Sequence, residues 1–368
     1  MSGREQISPS GLAFLMFGFL MGSTLLLPMG APAKQAAWLA TALGGLSGVV
    51  VAWVYTRLAV QFPGECLVGY SRVILGRWGG SLVSLLYLWY GFHLGALVLR
   101  NFGEFLLTAL LPTTPISVII LTLMALCAFA VRTGLEPLAR ASQVLVLVVV
   151  ALVVITMVLL AKEAEPRNLQ PWFSDQPASI LRAALTILTF PFGETIIFAM
   201  VIPQVRPAGS VPRTVMRTIL AATFVLTATA ALSTAVLGSH IRGTSRFSTL
   251  ALIRHIVIAD FITNLDALVV GAWVFNGFLK ASACLYFCAT GLAEWLGLRE
   301  YRSLVPPIAI LMVGMSILVY QDVSEMTTFL NIWAVYSLPF QVLMPLVLLL
   351  VAQARGLGQQ EGSSISGG

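Results

Sequence analysis

The sequence predicts an all-α integral membrane protein of ten transmembrane helices, organised as two inverted halves of five. Three observations carry that expectation. Hydrophobic residues make up 58% and charged residues 10% of the 368, against roughly 45–50% and about 25% in soluble domains. Apolar runs of about 20 residues, each long enough to cross the hydrocarbon core, recur along the whole chain. Two of them are interrupted by helix-breaking residues at matching places in the two halves, which points to a transporter-type binding site at the bilayer midplane.

The ten runs cover about 9–31, 35–60, 80–107, 114–132, 140–161, 179–203, 213–238, 262–292, 304–320 and 328–353. The first contains GFLMGSTLLLPMG, residues 18–30, with Gly22 and Ser23 where a spanning helix would carry Leu. An interrupted backbone survives inside a bilayer only where it is buried in protein or lines a cavity, so this break is a candidate site. Gly18 and Gly22 also form a GxxxG spacing suited to close helix packing, and for Gly44 and Gly48 in the second run packing alone suffices. Ala31-Pro32-Ala33 imitates a signal-peptidase site, but the run is long for a signal peptide and Arg4 with Glu5 leaves no net positive flank, so it reads as a retained span.

The third run clusters Tyr87, Tyr90, Gly91 and His93 near its centre, where they can face the break. His93 fits a hydrogen-bonded core residue better than a proton carrier. Arg100 and Glu104, four apart, pair on one helix face near the outer end. The fifth run has no charged residue, which removes one convenient place for ion coupling.

The sixth run holds the most informative segment, ILTFPFGETIIFAMVIP, residues 187–203. Pro191 removes a helical N–H and clashes with the preceding turn, Gly193 permits close backbone approach, and Glu194 puts a carboxyl midway through an apolar stretch. Its alternative reading is a proline kink with Glu194 protonated or bonded to backbone for stability. In the eighth run Asp266 and Lys280 lie near one helical stripe but about 21 Å apart at 1.5 Å per residue, too far to pair, and Asn276 shares the Lys280 side. Lys280 and Asp266 are candidate gating or charge residues; for Lys280, snorkelling to the inner boundary is an equal alternative.

Splitting the chain near residue 170 gives five runs per half, and an odd number inverts one half relative to the other. A single membrane domain then spans residues 1–353, with repeats at about 9–161 and 179–353, and residues 354–368 form a disordered tail. The connection after the second run of each half, 61–79 and 239–261, is long enough for a short interfacial helix, the latter suggested by SRFSTLALIRHIVIADF.

The net charge of +6 does not indicate nucleic acid, because the basic residues sit in short loops between runs without interleaved exposed aromatics. With both termini in the cytoplasm, the larger share of arginines, including Arg57, Arg72, Arg77, Arg132, Arg140, Arg299 and Arg302, falls inside. Four cysteines and three histidines are too few and too scattered for a metal site, so Cys284 and Cys288, one turn apart, read as core side chains, and no cofactor is expected. No P-loop, HExxH or GxSxG occurs, and an enzyme is not expected.

The opening ISPSGLAFLMFGFLMGSTLLLP, the loop FPGECLVGYSRVILGRWGG, the FPFGE segment followed by IP, and the eighth-run pattern Trp273, Phe275, Phe278, Lys280 together resemble the spore germinant receptor B-subunit family, also called endospore germination permeases. The likeness covers about residues 5–355. It implies kinship with the amino acid/polyamine/organocation transporters and a leucine-transporter-like fold, whose substrate lies between the unwound parts of the first and sixth helices. Carried over by position, that points to Gly22, Ser23, Pro191, Phe192, Gly193 and Glu194 as substrate-binding, with Tyr90 and Asn276 as wall residues. It further implies a small nutrient as ligand, an amino acid first among them, partner A and C subunits, and the inner membrane of the spore.

From the residues alone, exposed helix-end N–H groups would receive a carboxylate and freed carbonyls an ammonium, so a zwitterionic amino acid fits. Two functions remain open: a nutrient sensor that signals through partners, and an autonomous amino-acid permease.

Overall fold

The computed structural model describes residues 5–25, 27–171, 177–245, 247, 250–252, 265–320 and 323–357. Its helices are α1 (Pro9–Met21), α2 (Ala37–Gln61), α3 (Leu67–Ala109), α4 (Ile116–Thr133), α5 (Leu135–Leu160), α6 (Pro177–Ile187), α7 (Val211–Thr244), α8 (Leu265–Leu296), α9 (Val305–Leu318), α10 (Val323–Leu338) and α11 (Met344–Ala354). A widened turn, Pro339–Leu343, joins α10 to α11 within the tenth run. Among the described residues, eight helical stretches are long and apolar enough to cross a membrane, and two shorter apolar helices cover Pro9–Leu25 and Val305–Leu318. No sheet occurs among them; the one β-bridge joins Ile7 to Val205.

Local chemistry explains the boundaries. Ser8 caps α1 by accepting a 3.1 Å hydrogen bond from the Gly11 N–H, and Pro9 occupies the first helical position, where a missing N–H costs nothing. The first run is shorter as a helix than its apolar length suggests. Helix α1 stops after 13 residues at Met21, and a 3-10 turn, Ser23–Leu25, follows the kink at Gly22.

Both long connections begin or end at a glycine that no other residue replaces without strain. Gly76 (φ 76°, ψ 177°) separates residues 67–75 from the body of α3, and Gly238 (φ 71°, ψ 161°) separates the last turns of α7 from its body. The expected short helix in 61–79 is therefore present. For 239–261, the helical turns run to Thr244, and most of the rest lies outside the described residues, as do the side chain of Asp266, Arg4, and residues 358–368 of the tail.

Helix α8 is the buried axis, packed on α1, α3, α4 and α5, while α2 packs on α6 and α7. The small residues of α2 make that approach possible. A Cβ on Gly44 would lie 2.7 Å from the Ile187 side chain, and one on Gly48 2.6 Å from Phe192 Cβ, so both glycines serve packing. Apolar side chains such as Leu46, Val50, Trp53, Leu82 and Phe224 face outward, as a lipid-facing surface requires.

Candidate functional site

The two predicted breaks form and meet. After α6 the chain makes a widened turn at Leu188–Phe192 in which Phe190 is extended (φ −144°, ψ 106°), then a 3-10 segment, Gly193–Met200. Phe190 leaves the helical spiral and the Gly193 N–H, which a regular helix would aim at the Thr189 carbonyl, bonds Leu188 O instead, so the Thr189 carbonyl loses its helical donor. The tenth run supplies the replacement: Gln341 Nε2 donates to Thr189 O at 2.8 Å, and Trp333 Nε1 donates to the same oxygen at 3.2 Å. Gln341 Nε2 also donates to the Tyr90 hydroxyl at 2.7 Å. A carbonyl that the sequence offered to a ligand is thus already held by protein.

At the centre lies an ion pair. Lys280 Nζ of α8 donates to Glu194 Oε2 at 2.6 Å, and neither side chain has any exposed surface. The ammonium sits between two aromatic faces, 4.8 Å from the Phe19 ring centroid and 4.6 Å from that of Phe190. Thus the end of α1, the sixth-run break and α8 converge on one charge pair. Lys280 does not snorkel. Its stem passes Gly22 so closely that a Cβ there would lie 2.7 Å from Lys280 Cδ and 2.9 Å from the Phe19 carbonyl.

The structure brings most of the expected residues together. Gly22, Glu194 and Lys280 meet directly; Ser23 is buried beside Gly22, and Asn276 is buried one turn before Lys280. Gly193 admits Gln341, whose Cδ would lie 2.6 Å from a Cβ at that position. Tyr90 is buried, bonded to Gln341 and stacked on Phe340 at 5.0 Å. Pro191 is buried in the turn. Phe192, in contrast, packs on Gly48 of α2, and it is Phe190 that faces the ammonium. Asp266 belongs to α8, and its side chain lies outside the described residues.

Several buried polar atoms here lack a partner among the described residues: Ser23 Oγ, Glu194 Oε1, both side-chain polar atoms of Asn276, and Gln341 Oε1. Each such atom costs about 1–3 kcal/mol; of these, Glu194 Oε1 belongs to the ion pair itself. A cavity of about 20 Å³ adjoins Glu194, bordered by Asn101, Phe190, Tyr320, Phe329 and Trp333. It has room for about one water.

The other polar features sit elsewhere. His93 Nδ1 is 3.0 Å from the Tyr336 hydroxyl, within an aromatic cluster of Trp89, Phe329, Trp333 and Tyr336. Arg100 pairs with Glu104 at 2.9 Å and also donates to Ile317 O at 3.1 Å. That couple is buried within the protein. A larger cavity, about 530 Å³, opens where the N-terminal segment and the α2–α3 and α8–α9 loops meet, bordered by Glu5, Glu65, Glu294, Arg299, Tyr301 and Arg302. There the Glu5 carboxylate accepts from Arg302 Nη2 at 2.6 Å and from the Leu135 N–H at 2.8 Å.

Sequence and structure comparisons agree with one another. The family profile described as spore germination protein matches residues 6–326. Spore germination protein KB of Bacillus subtilis (strain 168) is 30% identical over 354 residues, 95% of each chain, and GerQB of Bacillus cereus is 24% identical over 84% of this chain and 85% of its own. The fold is similar to that of MhsT, solved with L-phenylalanine (TM-score 0.70, 14% identity, 96% of this chain and 91% of that one). It is also similar to that of Mhp1, a nucleobase-cation-symport-1 family transporter solved closed with bromovinylhydantoin (TM-score 0.67, 15% identity, 94% and 78%). On a leucine-transporter-like fold, with interrupted first and sixth helices meeting over a buried charge pair, the chain belongs to the spore germination protein family.

Proposed function

We propose that this chain is the membrane subunit of a spore germinant receptor, binding a small nutrient of the amino acid class at the midplane, between the Gly22 break and the Pro191–Glu194 break. Gly22, Ser23, Pro191, Gly193 and Glu194 form the site, with Tyr90 and Asn276 in its wall; Phe192 holds the sixth-run segment against α2. The observation that carries the reading is a fully buried ion pair where both breaks meet, with Glu194 Oε1 left without a partner among the described residues. Partner A and C subunits relay the signal, in the inner membrane of the spore with both termini cytoplasmic. The ten apolar helices are read as ten spans in one domain of two inverted repeats. A ligand acts by favouring one conformation over another, to the extent of its differential affinity.

The test is germination of spores lacking only this gene, scored by loss of refractility against amino acids, nucleosides and sugars. Selective loss of an amino acid response supports the reading, and an unchanged response to every amino acid that triggers the parent strain overturns it. The transporter fold favours one second reading, an autonomous permease. It predicts concentrative uptake of the same nutrient into proteoliposomes under a proton or sodium gradient.

A further inference from the structure

We infer that the Glu194–Lys280 pair is the occupant of the ligand site in its closed form, and that the ligand is a zwitterion that takes the pair apart, its ammonium meeting Glu194 and its carboxylate meeting Lys280. This rests on the proposed location of the site between the two breaks. It goes further by naming the two side chains that read the ligand's charges.

The argument begins with charge balance. Both side chains are without exposed surface, and among the described residues each is the other's only charged partner. A buried ion pair is tolerated while complete, but removing either partner leaves a charge that no apolar surrounding compensates. A ligand with a lone ammonium could relieve Glu194 while stranding Lys280. A lone carboxylate would do the reverse. Only a ligand carrying both charges close together separates the pair and leaves every charge matched.

Geometry supports the exchange. Lys280 reaches Glu194 by a flexible four-carbon stem laid along Gly22, whose rotatable bonds let the ammonium be re-aimed. When its ammonium withdraws from between Phe19 and Phe190, two aromatic faces remain at the vacated position, a setting that receives an organic ammonium by the same attraction. Glu194 Oε1 and Ser23 Oγ, without a partner among the described residues, are further hydrogen-bonding groups at this junction, and the Asn276 amide, likewise unpartnered among them, lies one turn before Lys280. The cavity beside Glu194 holds about one water. Entry therefore requires the border formed by Tyr320, Phe329 and Trp333 to move, and ligand and closed pair exclude one another.

The experiment is equilibrium binding to the purified chain in nanodiscs. Each of the twenty amino acids is titrated, and the tightest binder is then compared with its decarboxylated amine and its deaminated acid. The wild type should prefer the amino acid to either fragment by about 100-fold or more, the penalty expected when a site's buried polar group is left unmatched. The preference should then divide between single variants. Lys280→Met should bind the amine at least about tenfold better than the wild type does, and Glu194→Gln the acid by a similar factor, since each retains one buried charge in need of a partner. Glu194→Gln/Lys280→Met, neutral at both positions, folds even where a single variant does not and should gain neither. A wild type that binds amine or acid as tightly as the amino acid overturns the exchange and leaves the site reading intact, as do single variants that keep the wild-type order of preference. Failure of every amino acid to bind overturns both.

Discussion

Taking apart the Glu194–Lys280 pair one partner at a time should give a strongly non-additive stability cycle. Glu194 Oε2 and Lys280 Nζ are 2.6 Å apart with no exposed surface, and breaking such a pair costs about 3–5 kcal/mol because the remaining charge stays buried. The two halves are not equivalent. In Glu194→Gln the ammonium keeps the faces of Phe19 and Phe190, at 4.8 and 4.6 Å, and a Gln carbonyl can still accept from it, so the cost falls near about 3 kcal/mol. In Lys280→Met the carboxylate keeps no partner among the described residues, since Oε1 already has none, and the cost rises toward about 5 kcal/mol. The double variant removes both charges at similar volume and should lie within about 1 kcal/mol of the wild type. Unfolding by SDS in mixed micelles, followed by tryptophan fluorescence and extrapolated linearly, gives all four values. Additive losses, with the double variant as unstable as the sum of the singles, would refute the claim that the two side chains act as one buried unit.

Other expectations follow from particular contacts. Gly22→Ala forces a Cβ to within 2.7 Å of Lys280 Cδ and 2.9 Å of a backbone oxygen; it should cost about 1–3 kcal/mol of strain and weaken nutrient response in spores expressing it at normal levels. Gln341→Ala releases Tyr90 and removes one of two donors to Thr189 O, a loss of about 1–3 kcal/mol in the same SDS titration, with Gln341→Glu no better because it lacks the amide donor. Gly238→Ala meets no atom within 4 Å but must hold φ 71°, so it should cost about 1–3 kcal/mol through backbone strain alone. Burial, with the Glu294 and Glu65 carboxylates adding to it, pushes the Cys66 thiol up to about 11. Maleimide labelling of Cys66 should therefore be slow at pH 8, where roughly 0.1% is thiolate, and rise about tenfold per pH unit until near pH 11; a plateau by pH 9 would contradict it.

Much of the fold was legible because bilayer constraints leave a strong record in sequence. Apolar runs located the helices, and breakers inside two of them located the meeting point of α1 and the sixth run, since neither Gly22-Ser23 nor Pro191-Phe192-Gly193 is compatible with an uninterrupted span. What sequence could not supply was register between elements. Lys280 was placed on a stripe with Asp266 in its own helix, whereas its partner is Glu194, 86 residues away, and no intrahelical periodicity reports which residue of another helix stands opposite. Phe190 and Phe192 exchange places for a related reason: the extended residue at 190 resets the face, so helical spacing carried across it has no meaning. Gln341 left a signal that went unread, a lone amide beside Pro339 in an apolar run, because its role appears only when the Thr189 carbonyl is known to be vacant.

An apolar contact in place of the ion pair would hold the closed form as well or better, because desolvating two charges offsets most of their attraction. Stability alone therefore does not explain a carboxylate and an ammonium at the junction of two broken helices. A switch does. Moving a two-state equilibrium from 1:99 to 99:1 takes about 5.5 kcal/mol of differential affinity, and a ligand that binds only when the pair is apart is excluded from one state altogether. Opening the pair with nothing in its place leaves two buried charges uncompensated, while the zwitterion that opens it restores both charge contacts. On the exchange we infer, closed-state persistence without nutrient and responsiveness to it are two consequences of one contact. Neutralising both charges should accordingly leave a folded protein in which nutrient no longer changes the balance between states.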